Sequence, residues 1–91
     1  MQSILQREKV CYLCGRKYGL EKHHCLAGVA NKPLSEKYGL WVWLCHNCHT
    51  GTDGAQYDPE KNMLLKRDAQ YEFERTHSRT EWMQIFRKNY L

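Results

Sequence analysis

The sequence predicts a small α+β domain stapled by zinc, and three observations carry that reading. Two cysteine knuckles, Cys11-Tyr12-Leu13-Cys14 and Cys45-His46-Asn47-Cys48, offer four thiolates at the spacing that closes a tetrahedron around one Zn²⁺. The run Leu40-Trp41-Val42-Trp43-Leu44 is aromatic and β-branched, and it ends directly on Cys45, so a strand delivers the second knuckle. Two helix starts follow, one at Asp58-Pro59 and one at Ser78, each with a capping residue ahead of apolar positions.

The elements follow in chain order. Ser3 to Lys9 reads as one or two helical turns leading into the first knuckle, where Cys14-Gly15 supplies a tight turn. Tyr18 to Cys25 is a short strand-like stretch carrying Leu20, His23 and His24, and Ala27 to Tyr38, with Gly28, Asn31 and Pro33, reads as a loop. The two strands then pair as an antiparallel hairpin around that loop. Trp41 and Trp43 share one face of the second strand, with Val42 on the other, and are expected in the core around the zinc in preference to a base-stacking role. Thr50 to Gly54 is turn-rich. Asp58 caps a helix with Pro59 at its first position, and Leu64, Leu65, Ala69, Tyr71 and Phe73 form a rough apolar side ending near Thr76. Ser78 and Glu81 match a capping box for a last short helix whose Trp82, Ile85 and Phe86 lie on one face, Trp82 being its anchor.

A chain of 91 residues is expected to form a single domain, with a motif core over 10–55 and a helical extension over 58–91. Its apolar content of 42% is lean for a self-sufficient core, so a metal that contributes folding free energy fits the composition. The formal charge of +4 is compatible with a polyanionic partner without requiring one. Met1 to Gln6 contains no long apolar stretch, which predicts neither a signal peptide nor a membrane span and points to a cytoplasmic protein. In a reducing compartment the paired cysteines read as metal ligands and not as a disulfide framework. Cys25, the fifth, reads as a small buried apolar residue or a spare thiol beside His24.

Four thiolates from Cys11, Cys14, Cys45 and Cys48 on one zinc is the leading assignment; the rivals are a zinc held by Cys45, Cys48 and nearby histidines, or no metal at all. In each case imidazoles remain. His23 and His24 are adjacent on a strand and point to opposite faces, so in isolation they read as one core and one surface histidine. Their place between the knuckles, with His49 immediately after a zinc cysteine, points instead to a second, working metal.

The run Cys11-x-x-Cys14, Leu20-Glu21-Lys22-His23-His24, Leu44-Cys45-x-x-Cys48-His49 resembles the zinc-containing HNH, or His-Me finger, endonucleases, whose ββα-metal fold places a hairpin and a helix around one catalytic divalent ion. The stretch Gly28 to Leu44, with the ending Phe86-Arg87-Lys88-Asn89-Tyr90-Leu91, is similar to small phage proteins related to RecA-dependent recombination-enhancement nucleases. By matching positions the resemblance implies a structural zinc on the four cysteines, His23 and His49 as ligands of a catalytic Mg²⁺ or Mn²⁺, and His24 as general base for phosphodiester hydrolysis. It implies DNA as substrate, with a RecA-type recombinase filament as a further partner. Two departures stand out. Where the family's asparagine opens the second strand, this chain has Tyr38-Gly39-Leu40-Trp41, so Asn31, or else Asn47, is expected to substitute. Where the phage relatives carry a histidine after a glycine, this chain has Gly54-Ala55-Gln56, and an amide is a poorer divalent-ion ligand than imidazole.

Arg16, Lys17, Lys22 and Lys32, together with Arg7 and Lys9, form the basic group around the first knuckle and hairpin expected to meet phosphates, with weak sequence preference and strong salt dependence. Two non-enzymatic readings stand beside the nuclease: a zinc-stabilised DNA-binding module that kept the scaffold without full activity, and an adaptor acting on a recombinase filament.

Overall fold

A computed structural model describes all 91 residues, in the order β1 (Leu20–His24), α1 (Asn31–Tyr38), β2 (Trp41–Cys45), α2 (His46–His49), α3 (Pro59–Glu74) and α4 (Arg79–Phe86). The strands form a two-stranded antiparallel sheet in which His23 faces Val42 and His24 faces Trp41. This is an α+β arrangement, as the sequence predicted. No helix is long and apolar enough to cross a membrane.

The connection between the strands is not the loop expected for Ala27 to Tyr38, because residues 31–38 wind into α1. Pro33 misled the reading, yet it sits in the first turn, where an N–H has no intrahelical acceptor to lose. Gly28 accepts from the N–H of Asn31 and of Lys32, and Gly39 closes the helix at φ 71°, a left-handed conformation suited to glycine. Buried Ser35 donates its hydroxyl to the Leu26 carbonyl at 2.9 Å, fastening α1 to the chain just after β1.

The amino-terminal segment is likewise not the helical turn expected for Ser3 to Lys9. It runs along β2, where Gln6 Oε1 accepts from the N–H of Trp43 at 2.6 Å and the indole of Trp41 donates to the Met1 carbonyl at 3.1 Å. An unpaired strand edge needs partners for its backbone, and this need outweighs a weak local helix preference. The first knuckle adds to the same edge through Tyr12 N–H to the Trp43 carbonyl, 2.8 Å.

Val42 and Leu44 point into the core with Leu26, Leu40, Cys11 and Cys45, against Leu65, Ala69 and Phe73 of α3 and Trp82 and Phe86 of α4. Trp41 and Trp43 do share a face, meeting edge to face at 5.3 Å, but it is the opposite one. Trp41 is buried and Trp43 half-buried, but neither joins the main apolar cluster, and the ammonium groups of Lys22 and Lys9 lie over their rings. The parity of the strand decides this: placing Val42 and Leu44 inward turns the tryptophans outward, beneath the amino-terminal segment.

Both helix starts form as the caps predict. Asp58 accepts from the N–H of Glu60 and of Lys61, and Ser78 and Glu81 complete both halves of a capping box. On α3 the buried positions Leu65, Ala69 and Phe73 are spaced by four, whereas Leu64 and Tyr71 from the expected apolar side are exposed. Trp82 is fully buried, packs against Phe73 and Phe86, and donates its indole N–H to the Lys88 carbonyl at 2.8 Å. Ile85 is only half-buried.

Candidate metal centre and histidine cleft

The cysteine cluster forms where three local structures meet. In the first knuckle, Gly15 turns at φ 81° and donates to the Cys11 carbonyl at 2.8 Å, folding Cys14 back over Cys11. Cys45 ends β2 and heads α2, whose first turn raises Cys48 beside it. All four Sγ atoms lie within 4.8 Å of one another, with Cys14 and Cys45 at 3.6 Å. Tetrahedral zinc with Zn–S bonds of about 2.3 Å sets its sulfurs about 3.8 Å apart, so the cluster is compatible with one structural Zn²⁺. Burial, then hydrogen bonding with Cys45 and the other two cysteines, pushes the Cys48 thiol well above its ordinary range. Four thiolates this close repel one another, and a divalent cation is what offsets that repulsion. Cys25 is apart from the cluster, fully buried, with its thiol pushed up to about 12 by burial; it is the small apolar residue expected.

Three histidines, His23, His24 and His49, gather at one cleft. His23 shares the core-facing side of β1 and is 8% exposed, yet its Nε2 is a buried polar atom with no hydrogen-bond partner. Burial, then the neighbouring His49 and His24, lowers its pKa to about 4, so the ring is neutral near pH 7. His49 lies edge to face with it at a centroid separation of 5.2 Å. Glu21, two residues before His23 on the same strand face, accepts from Nδ1–H of His49 at 2.8 Å and lies 3.5 Å from Nδ1 of exposed His46. That hydrogen bond leaves the Nε2 lone pair of His49 free, the arrangement in which an imidazole ligates a metal. The His49 hydrogen bond also holds the Glu21 carboxyl below the usual carboxylate range.

His24, on the opposite face, places Nε2 2.9 Å from Oε2 of Glu36 on α1, while Oε1 of Glu36 accepts from Lys22 at 2.9 Å. The hydrogen bonds from Lys22 first and then His24 hold Glu36 below the usual carboxylate range. His23, His24 and His49 line one open cleft of about 370 Å³ together with Lys22, Lys32, Gln56, Asn62 and Ala27. Gln56 reaches it because the chain after α2 doubles back: Ala55 N–H donates to the Cys48 carbonyl at 2.7 Å and Gln56 N–H to that of His49 at 3.1 Å. A side chain on Gly54 would strike the His49 backbone, which is why a glycine stands there.

The residues singled out by sequence thus divide. His23, His24 and His49 come together, and Lys22 and Lys32 join them at the cleft. Arg16 and Lys17 are exposed on the first knuckle, outside the cleft lining. Asn31 opens α1 and makes no hydrogen bond to His24, whose partner is Glu36; Asn47 is exposed on α2. Glu21, Glu36 and Asn62 escaped the sequence reading. Alternation along β1 would have paired Glu21 with His23 on one face. No local pattern pointed to Asn62, which lines the cleft from α3, or to Glu36, which meets His24 from α1.

No family model matches the chain, and comparison with curated proteins and with solved structures returns no similar protein.

Proposed function

We propose that this protein is a divalent-metal-dependent DNA endonuclease of the ββα-metal type, with a structural zinc on Cys11, Cys14, Cys45 and Cys48. The observation that carries the reading is the unpartnered Nε2 of buried His23 beside His49. A buried polar atom without a partner costs about 1–3 kcal/mol, and a cation on the two imidazoles removes that cost. The donor set fits a divalent ion: two imidazoles, one of them oriented by a carboxylate, with the Gln56 and Asn62 amides lining the same cleft.

In this reading His23 and His49 would hold the ion. Bound Mg²⁺ or Mn²⁺ supplies charge stabilisation at the scissile phosphate and its leaving oxygen. His24 takes a proton from the water whose oxygen attacks phosphorus, and the bond to the leaving oxygen breaks to give a phosphate monoester and a free hydroxyl. Lys32, exposed at the cleft, and Arg16 and Lys17 on the knuckle supply phosphate contacts, while Lys22 is already engaged by Glu36.

The test is nicking of supercoiled plasmid and cleavage of a single-stranded circle with Mg²⁺ or Mn²⁺, with and without a RecA-type filament, for wild type and His24→Ala. Cleavage by wild type, lost in the variant at unchanged zinc content and circular dichroism, supports the nuclease. Gln56, standing where the resembling proteins carry histidine, favours one second reading, a zinc-stabilised DNA-binding module without catalysis. Salt-dependent DNA binding with no cleavage under any of these conditions selects it.

A further inference from the structure

We infer that Glu36 is the positioning residue of His24, selecting which of its ring nitrogens carries the proton; the inference rests on the nuclease reading for its catalytic consequence. Three observations carry it. Glu36 is gripped at both carboxylate oxygens, by Lys22 Nζ on Oε1 and by His24 Nε2 on Oε2, each at 2.9 Å, and a carboxylate held at two points has little freedom to turn away. Lys22 and His24 are two residues apart on β1, so one strand face presents both groups to one helix position. The helix is itself anchored: Ser35, beside Glu36, is fully buried and bonded to the Leu26 carbonyl, and α1 closes one turn later at Gly39.

The Glu36 side chain is 43% exposed, so these ion pairs add little stability, and orientation is the consequence that remains. An ionised carboxylate only accepts hydrogen bonds. Against it, neutral His24 carries its proton on Nε2 and leaves Nδ1 as the lone pair that receives the proton of the attacking water. A carboxylate on α1 thereby does the orienting for which residues 38–41 offer no asparagine.

Long-range ¹H–¹⁵N correlation spectra of the zinc-loaded protein test this, with His24 assigned by comparison with His24→Ala. The expected result is the Nε2–H form in wild type and a mixed or Nδ1–H form in Glu36→Gln, whose amide both donates and accepts. In the cleavage assay Glu36→Gln should lower kcat about tenfold to hundredfold, part of what a positioned base contributes, with KM and zinc content unchanged. An Nδ1–H ring in wild type, an unchanged tautomer in Glu36→Gln, or a loss confined to KM overturns the inference. If wild type does not cleave DNA, the nuclease reading fails, and the spectra still decide whether Glu36 sets the tautomer.

Discussion

Cys14 and Cys25 exchange the roles that burial alone would give them, and substituting each tests the metal centre. Cys14 is solvent-exposed and Cys25 is 1% exposed. Away from special features an exposed side chain is worth within about 0.5 kcal/mol, whereas truncating a small buried one costs about 1 kcal/mol. If the four sulfurs within 4.8 Å hold zinc, the order reverses. Structural zinc contributes about 10–16 kcal/mol of apparent binding free energy, so losing one of four ligands should cost about 3 kcal/mol or more. Stability of a domain this size is about 5–14 kcal/mol, which makes such a loss easy to detect. Urea denaturation at saturating zinc, followed by tryptophan fluorescence, should show Cys14→Ser destabilised by at least about 3 kcal/mol with reduced zinc content. Cys25→Ala should stay within about 1.5 kcal/mol of wild type and retain one zinc. A Cys14→Ser protein that keeps its zinc and lies within about 0.5 kcal/mol of wild type would refute the four-thiolate centre.

Three further outcomes are expected. Trp82→Ala removes the fully buried indole that joins α3 to α4 and should cost about 3–5 kcal/mol by urea denaturation. His23, at about 4 in the fold against an ordinary 6.5, leaves the unfolded chain binding more protons between those values, so its contribution is complete above about pH 6.5 and is lost as pH falls toward 4. The shift corresponds to about 3 kcal/mol, and the wild-type stability curve should therefore be steeper over that window than that of His23→Asn; parallel curves would contradict it. For DNA binding, Lys32→Ala should lower the slope of log affinity against log salt by about 1 and weaken binding alike on unrelated sequences, measured by fluorescence anisotropy.

Much of the frame was legible in sequence because its signals are local. A C-x-x-C pair, an aromatic β-branched run and a Ser-x-x-Glu capping box each act within one turn or one strand, and the knuckles, β2, α3 and α4 formed where those signals stood. The adjacency of His23 and His24 similarly implied opposite faces, and the strand register bears that out. What failed were segments whose state is set by distant partners. Residues 31–38 became a helix because Ser35 found the Leu26 carbonyl and Pro33 fell in the one turn that tolerates it. The amino-terminal residues lay along β2 because that edge required hydrogen bonds.

For the site, residue types and spacing picked out the cysteine set as a cluster that could bind zinc and singled out the three histidines as further candidates. Only the tertiary structure decided their pairing: His23 with His49, His49 with Glu21, His24 with Glu36, and Gln56 and Asn62 beside them in one cleft. The physical reason is range. Ligand chemistry belongs to the side chain and is read directly from the residue. The orientation of an imidazole belongs to whatever accepts its other N–H, and here those acceptors come from a different element of the fold in each case.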